Sequence, residues 1–440
     1  MIKTFIFKIK NRVWFVPSYY SFIAFLLAIG ATILDTQYTY LLQNSSLTFF
    51  LTRVELAKTI LSTLASSLLT MTTITFSTIM VVLTTYSSQF SPRTLEDFIT
   101  DKKTLRVLGI FMGGFIYSIF TLFFIKDTDS TIYVFSATLG VLIAIICLGF
   151  FVYFIHHVST SIQVNRLIDR LTSDILNLVE KIEAKNNSNV KIQNELVNSS
   201  DEVNDDERTL IFSKKIGYIQ RIDDLALLRL AENKDIIIRV EKMIGDYVTT
   251  NANIVSVWNN NKSIEDTEVF LRHITIGSER NMLQDMEFGL KKIVEVALKA
   301  LSPGINDPNT AVKCINQLGM ILTRIGTANI ENTYYYDNEG SLRLIFEDKS
   351  YDELLYKTFY QLRHYSNQDV SVMGAMLDAL IVIAEENAMP LKEKVWDFSH
   401  YIVNGFNKKA LESLDRDYIN KKIKRLAYLT RNLENVKYFE

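Results

Sequence analysis

Cysteine, histidine and proline are scarce in this sequence. Its 440 residues include two cysteines, Cys147 and Cys314, together with five histidines and five prolines. Cys147 falls within a long apolar run and Cys314 within a polar region, so we expect no structural disulfide. The histidines are scattered without a metal-ligand spacing, so we predict no metal site and no cofactor. The small number of prolines leaves room for long helices.

Charged residues are absent from one long stretch, between Lys58 and Arg93. Within it, fifteen of the thirty residues at 59–88 are serine or threonine. Their hydroxyls can bond to the carbonyl one turn back, so such a helix can enter lipid at modest cost and still offer oxygen atoms to a neighbour or to water. The stretch therefore predicts a membrane-spanning helix with a hydroxylated surface.

Three further apolar stretches accompany it, at residues 14–34, 105–125 and 131–155. Each is long enough to cross roughly 30 Å of hydrocarbon, which needs about 20 helical residues. The first follows a basic leader, and because three more spans come after it we interpret it as a retained signal anchor. The sequence thus predicts a four-helix transmembrane domain at residues 1–158, with spans at about 14–34, 59–86, 105–125 and 131–155.

Basic residues indicate the orientation of the spans. They precede the first span and fill the loop between the second and third, whereas the hairpin at 126–130 carries one lysine against two aspartates. Positive loops favour the cytoplasmic side, so both termini are predicted to be cytoplasmic. The basic residues concerned are Lys3, Lys8, Lys10, Arg12, Arg93, Lys102, Lys103 and Arg106.

The remainder of the chain is polar and changes character along its length. Residues 159–208 predict a juxtamembrane helix followed by a flexible linker rich in Asn, Ser, Asp and Glu. Residues 209–262 predict a small β unit, whose Gly-Asp-Tyr-Val turn at 245–248 resembles part of the barrel-sandwich modules. Residues 263–440 predict a mainly helical cytoplasmic domain. The predicted fold class is therefore membrane α-helical, with a soluble α+β cytoplasmic domain after the spans.

One loop of the helical domain joins a predicted helix at 279–301 to a helix that begins at Asp307 and Pro308. Gly304 can take a positive φ, Asp307 suits an N-cap and Pro308 suits the first helical position. One interpretation is a well-specified turn between helices. The other is a small anion or ligand site at the N-terminus of the new helix, although the carboxylate of Asp307 would oppose an anion. The candidate loop site comprises Ser302, Gly304, Asn306 and Asp307.

Four short motifs are spread over nearly the whole chain. They are Ser-Gln-Phe-Ser-Pro-Arg at 88–93, Gly-Tyr-Ile-Gln-Arg-Ile-Asp at 217–223, Gly-Asp-Tyr-Val at 245–248 and Ala-Leu-Ser-Pro-Gly-Ile-Asn-Asp-Pro at 300–308. Together they resemble a bacterial family of predicted membrane proteins, domain-of-unknown-function family 2254. The resemblance implies a multi-pass protein of the bacterial inner membrane with a cytoplasmic C-terminal region. It carries over no catalytic residue.

The hydroxyls of the second span support the first functional hypothesis. They recur every three or four residues, with one longer gap, and so trace one helix face. Such a face suits helix packing within the lipid bilayer, or the lining of a pathway for an ion or small solute. Four spans are too few to enclose a wide pathway, so a channel or transporter of this kind would be a homo-oligomer. The candidate lining residues are Ser62, Ser66, Thr70, Thr73, Ser77 and Thr84.

The end of the second span suggests a membrane-interface site, formed by Gln89, Pro92 and Arg93. Arg93 suits anionic lipid head groups, or it would raise the local concentration of anions at the cytoplasmic mouth of a pathway.

The alternative hypothesis is a membrane-anchored sensor or scaffold, whose cytoplasmic domain binds a partner or metabolite. An enzyme is a third reading, but we predict no catalytic residue and no nucleic-acid partner. The acidic and basic groups in question suit solvated helix faces better than any catalytic arrangement. They are Asp285, Glu287, Asp307, His364 and Asp369.

Overall fold

The computed structural model divides the chain into two compact units. The N-terminal unit ends at Arg166, and the C-terminal unit begins at Leu167. The described residues are 14–43, 51–89, 93, 101–125, 133–161, 163–186, 191–193, 208–259, 266–328, 333–346, 350–366, 369–406 and 411–436.

The described residues of the N-terminal unit include four long helices, each apolar enough to cross a membrane. The prediction of four apolar helices in this part of the chain is confirmed. The fourth helix begins five residues later than predicted, because Tyr133 and Val134 form a short antiparallel ribbon with Thr52 and Arg53. The elements are α1 (Phe15–Gln43), β1 (Thr52–Arg53), α2 (Val54–Gln89), α3 (Lys102–Phe124), β2 (Tyr133–Val134) and α4 (Ser136–Ser161).

Small side chains let α1 and α3 approach closely. Ala24, Ala28 and Ala31 are buried along one face of α1. A Cβ atom on Gly113 of α3 would lie 3.3 Å from the carbonyl oxygen of Tyr20, so the two backbones are nearly in contact there. Close approach of small residues is the usual basis of helix packing in lipid, where no hydrophobic driving force holds helices together.

A buried carboxylate ties α1 to the start of α4. Asp35 accepts hydrogen bonds from the backbone amides of Phe135 at 2.6 Å and Ser136 at 3.3 Å. Phe135 lies immediately before α4 and Ser136 is its first residue, so neither amide has a partner within the helix and Asp35 acts as a cap supplied by another helix. The hydroxyl of Tyr117 donates to the carbonyl of Ser136 at 2.8 Å and adds a contact from α3.

The C-terminal unit combines strands and helices, which confirms a mixed domain after the apolar helices. Its described strands form a six-stranded sheet in the order 191–193, 333–336, 342–346, 237–240, 253–258 and 208–212, and a three-stranded sheet in the order 247–248, 217–222 and 274–277. Among the described strands, only 342–346 and 237–240 pair in parallel. Both sheets are open over the described residues, so the barrel-sandwich likeness is not confirmed.

The elements of this unit follow in chain order, with α5 beginning just before the unit boundary. They are α5 (Val164–Asn186), β3 (Lys191–Gln193), β4 (Arg208–Phe212), β5 (Gly217–Ile222), α6 (Asp224–Lys234), β6 (Ile237–Val240), β7 (Tyr247–Val248), β8 (Asn253–Trp258), α7 (Glu268–Leu271), β9 (Ile274–Gly277), α8 (Met286–Ala300), α9 (Pro308–Ala328), β10 (Thr333–Tyr336), β11 (Leu342–Phe346), α10 (Tyr351–Tyr365), α11 (Val370–Glu386), α12 (Met389–Val403) and α13 (Ser413–Leu429).

The core of the helical part is built around α11, most of whose residues are buried. It packs closely on α9, since a Cβ atom on Gly319 would lie 2.8 Å from that of Ala379. Two local predictions need correction. The helix predicted from residue 279 begins at Met286, because the side chain of Asp285 caps it. The residue with positive φ in the following loop is Asn306, at 50°, and not Gly304.

Candidate functional site

The hydroxyl face of α2 lies on the side of the helix that the N-terminal unit leaves uncovered. All six candidate lining residues are exposed within the unit: Ser62, Ser66, Thr70, Thr73, Ser77 and Thr84. At about 3.6 residues per turn, they lie opposite the residues that pack against the rest of the bundle. That packed face comprises Val54, Ala57, Leu61, Ala65, Leu68, Thr75 and Val82. The stripe is therefore not used for packing among the described residues of its own unit.

Hydrogen bonds to the backbone decide what this face can offer. Ser66, Thr70, Thr73 and Thr84 each donate their hydroxyl to the carbonyl four residues earlier, at 2.9–3.1 Å. A hydroxyl has one proton to donate and two lone pairs that accept. Because the proton is committed to the helix, these side chains present acceptors to whatever lies against the face.

The membrane-interface candidates follow the same helix. Gln89 is the last residue of α2, Pro92 lies outside the described residues, and Arg93 is exposed. Their contact with lipid stays a prediction.

A second polar contact lies where α3 begins and α4 ends. The Nε2 atom of His157 donates to the Oδ2 atom of Asp101 at 2.8 Å, and Asp101 also caps α3 through the amide of Thr104 at 3.1 Å. Burial alone would raise the pKa of Asp101, but the hydrogen bonds from His157 and Thr104 outweigh it and hold this pKa below its ordinary value.

The Asp101 carboxylate is therefore expected to stabilise the N-terminal unit in a pH-dependent way. Because its pKa is lower in the folded state, the stabilisation is complete above about pH 4 and is lost as the pH falls through the folded-state pKa. We expect Asp101→Asn to lower the melting temperature in lipid nanodiscs by about 2–4 °C at neutral pH, with the difference narrowing toward pH 3. A difference that stays constant over this range would contradict the assignment.

The candidate loop site is organised around its own carboxylate. Asp307 accepts hydrogen bonds from the hydroxyl of Thr310 at 2.6 Å and from its amide at 3.2 Å, and these hold the pKa of Asp307 below its ordinary value. Asn306 donates its amide to the carbonyl of Ser302 at 2.9 Å. No atom of the protein lies within 4 Å of a Cβ placed on Gly304, so that residue stands in open space. The geometry favours the turn interpretation, and ligand binding here stays a prediction.

Sequence reasoning placed Asp285 on a solvated helix face, and this was wrong. Its side chain is buried and accepts two hydrogen bonds from Arg280, both at 2.7 Å, and one from the amide of Phe288 at 2.9 Å. Burial alone would lower the pKa of Arg280, but the hydrogen bonds to Asp285 outweigh burial and raise it. Arg280 and Asp285 thus form a buried ion pair that also caps α8.

Gly245 of the Gly-Asp-Tyr-Val motif makes room for this ion pair. Its φ is 88°, and a Cβ atom there would lie 2.5 Å from the Oδ2 atom of Asp285 and 2.6 Å from the Nη2 atom of Arg280. The glycine was the one sequence feature that could have drawn attention to the pair, since a positive φ and a close approach both require glycine.

The remaining acid and base candidates have separate positions. Glu287 lies 3.8 Å from Arg280 and 3.5 Å from Lys357, Asp307 and Asp369 cap helices, and His364 is exposed in the last turn of α10. Over the described part of the chain, no three His, Cys, Asp or Glu side chains are grouped so as to hold a metal ion. The absence of an active site stays a prediction.

Comparison with known proteins gives a consistent picture. Residues 10–381 match the model of a family described as predicted membrane protein, DUF2254. An uncharacterised protein of Mycobacterium bovis and one of Mycobacterium tuberculosis are each 27% identical over 343 residues, and a second of Mycobacterium tuberculosis is 26% identical. The match covers 76% of this chain and 65% of each relative, less than two thirds of their length. No solved structure matches the chain.

Proposed function

This chain belongs to the DUF2254 family of predicted membrane proteins, and on that premise we propose that it is a homo-oligomeric channel or transporter for an ion or a small solute. The observation that carries the proposal is the hydroxyl face of α2. It is exposed, free of charge over the length of a membrane span, and opposite the packed side of its helix.

The hydrogen bonds of this face favour cations and hydrogen-bond donors over anions. The hydroxyl protons of Ser66, Thr70 and Thr73 are committed to the backbone, so a permeating species would meet oxygen lone pairs. Oxygen acceptors can replace part of the hydration shell of a cation without holding it firmly. Basic residues at the mouth, such as Arg93, would attract anions, but salt screens exposed charges beyond about 10 Å.

Association of several copies would bring these faces together. Lipid hydrocarbon forms no hydrogen bonds, so a polar helix face is more stable against a second polar face or water than against lipid. We place one α2 helix from each copy around a common axis, with the hydroxyl faces inward. A particle that is monomeric by cross-linking and by mass in lipid bilayers would rule out this arrangement.

We also propose that the protein lies in the bacterial inner membrane with both termini in the cytoplasm. The support is the excess of lysine and arginine before the first span and between the second and third. Both native cysteines are buried, so single cysteines can report accessibility. In intact cells, an impermeant maleimide should label Ser130→Cys, which lies between the third and fourth spans and outside the described residues. It should not label Ser278→Cys in the C-terminal unit. The reverse pattern would overturn the orientation.

Removing hydroxyls from the face should reduce conduction. We expect the triple variant Ser66→Ala, Thr70→Val, Thr73→Val to lower single-channel conductance in planar bilayers by about a hundredfold. Each lost hydrogen-bonding group raises the barrier to permeation by about 1 kcal/mol, so the three together raise it by about 3 kcal/mol. Each 1.4 kcal/mol on a barrier lowers the rate about tenfold. Salt gradients should show that the wild-type protein prefers cations.

A matched control removes the same number of hydroxyls from another side of α2. Thr72, Thr78 and Thr85 also donate to the carbonyl four residues earlier, and at about 3.6 residues per turn each lies roughly a third of a turn from the centre of the candidate face. Replacing all three by valine should leave conductance unchanged. Equal effects of the two triple variants would mean that the hydroxyls act through helix stability and would count against a pathway along this face.

The sensor hypothesis remains the second candidate function. The observation that favours it is a cavity of about 470 Å³ within the C-terminal unit. The two functions can be distinguished by experiment. A sensor requires ligand binding by the C-terminal unit and tolerates changes on the hydroxyl face, whereas a pathway requires that face.

A further inference from the structure

The cavity of the C-terminal unit has the size of a small-molecule site. Its volume of about 470 Å³ falls within the roughly 300–1,000 Å³ that is usual for ligand pockets. Helices α5, α8, α9, α10 and α12 contribute to its lining, as do strands β5, β10 and β11. Because so many elements meet there, the cavity belongs to the fold and is not a crevice beside one loop.

Most of the surface that lines it is apolar, and aliphatic side chains supply much of that surface. Leu178 and Ile182 of α5, Ile325 of α9, Leu354 of α10 and Leu391 of α12 all contribute. Branched and flexible hydrocarbon side chains of this kind surround apolar ligands through dispersion contacts and exclusion of water. The body of the ligand should therefore be apolar.

The carboxylates in the lining are already bound within the protein. Asp224 accepts a hydrogen bond from the hydroxyl of Tyr335 at 2.9 Å, and burial raises the pKa of Tyr335 to about 12, so this phenol keeps its proton. Asp285 is held by Arg280, and Glu287 lies near both Arg280 and Lys357. These groups leave little negative charge to attract a cationic ligand.

The two lysines in the lining differ in their partners. Lys394 is already engaged within the protein, where Asp352 lies 3.4 Å away. Lys181 is exposed and makes no ion pair with any other described side chain. The lining thus combines an apolar surface with positive charge that can be satisfied by a ligand.

We propose that this cavity binds an aliphatic carboxylate, with its hydrocarbon chain against the apolar lining and its carboxylate at Lys181. The size of the cavity suits a single medium-length chain better than a phospholipid with two. This site goes beyond the proposed pathway and does not rest on it.

Photolabelling of the full-length protein tests the proposal. The protein is held in nanodiscs of zwitterionic phospholipid and irradiated with a dodecanoate that carries a diazirine, and the labelled peptides are mapped by mass spectrometry. We expect label on peptides that contain Ile182, Leu354 and Leu391. Octanoate should compete for this label, whereas octanol and octylamine should compete at least tenfold less well, because they lack the negative head group.

Substitutions can test the charge of Lys181 and the space in the cavity separately. Lys181→Gln should weaken competition by octanoate about fivefold to tenfold, since it removes one charged hydrogen-bond donor. Lys392→Gln is the matched control, because that lysine lies on α12 outside the lining. Leu354→Trp and Leu391→Trp each fill the cavity and should abolish the label while the melting temperature stays near that of the wild type.

Three results would overturn the proposal. Equal competition by octanoate, octanol and octylamine would remove the role of Lys181. Label confined to the four apolar helices would show partition into lipid only. Undiminished label in whichever tryptophan variant is folded would place the probe outside the cavity.

Discussion

Asp285→Ala is expected to lower the free energy of unfolding of the C-terminal unit by about 3–5 kcal/mol, because removing one partner of a buried ion pair leaves the other charge uncompensated. Asp285 is 4% exposed, and the side chain of Arg280 is 15% exposed. The change would also free the amide of Phe288 at the start of α8. Both losses act on the same helix terminus.

Tryptophan fluorescence during denaturation can measure this loss. Trp258 and Trp396 belong to the C-terminal unit, so a Trp14→Phe background gives a signal from that unit alone. Asp369→Ala is the control, because Asp369 also caps a helix through the amides of Ser371 and Val372, with no buried arginine. Losing a cap alone costs about 1 kcal/mol. Equal losses in the two variants would mean that the pair with Arg280 contributes nothing.

Gly245→Ala is expected to destabilise the same unit by about 3 kcal/mol or more. A residue with a side chain pays about 1–2 kcal/mol to hold a left-handed conformation. The new Cβ atom would also meet the ion pair at 2.5 Å from the Oδ2 atom of Asp285, and it would have to displace either the carboxylate or the turn.

A second glycine separates these two contributions. Gly340 has nearly the same φ, 87°, but no atom lies within 4 Å of a Cβ placed on it. Gly340→Ala should therefore show the conformational cost alone, about 1–2 kcal/mol. The steric part should also shrink when Gly245→Ala is combined with Asp285→Ala, since residues in contact are not additive. Full additivity would show that the clash is relieved elsewhere.

Several elements could be predicted because their causes are local. Strand β5, Gly217–Ile222, lies within the segment at 209–262 where the sequence predicted a small β unit. Asp307 is the N-cap that its position before Pro308 predicted, since a cap needs only an acceptor within reach of amides two and three residues on. The start of α8 was misplaced because Met282 lies four residues before Met286 and so continues the helical spacing. Periodicity does not show where a side chain such as that of Asp285 closes the first turn.

In α2, the sequence predicted one property of the hydroxyl face and the structure supplied another. Its spacing could be read from the sequence, but the sequence could not show which side of α2 is buried. That depends on the alanines, leucines and valines that meet the other helices of the bundle.

By itself, the sequence determined the membrane class and the four apolar helices. The thickness of the hydrocarbon requires an apolar run of about 20 residues, and the length of such a run can be read directly from the sequence. The sequence also determined the hydroxyl stripe, because the helical repeat places residues three or four apart on one face. Only the tertiary structure decided that Gly245, Arg280 and Asp285 meet, and that side chains from Leu178 to Lys394 enclose one cavity. Such sites join residues far apart in the chain, and they exist only after folding has closed the loops between them.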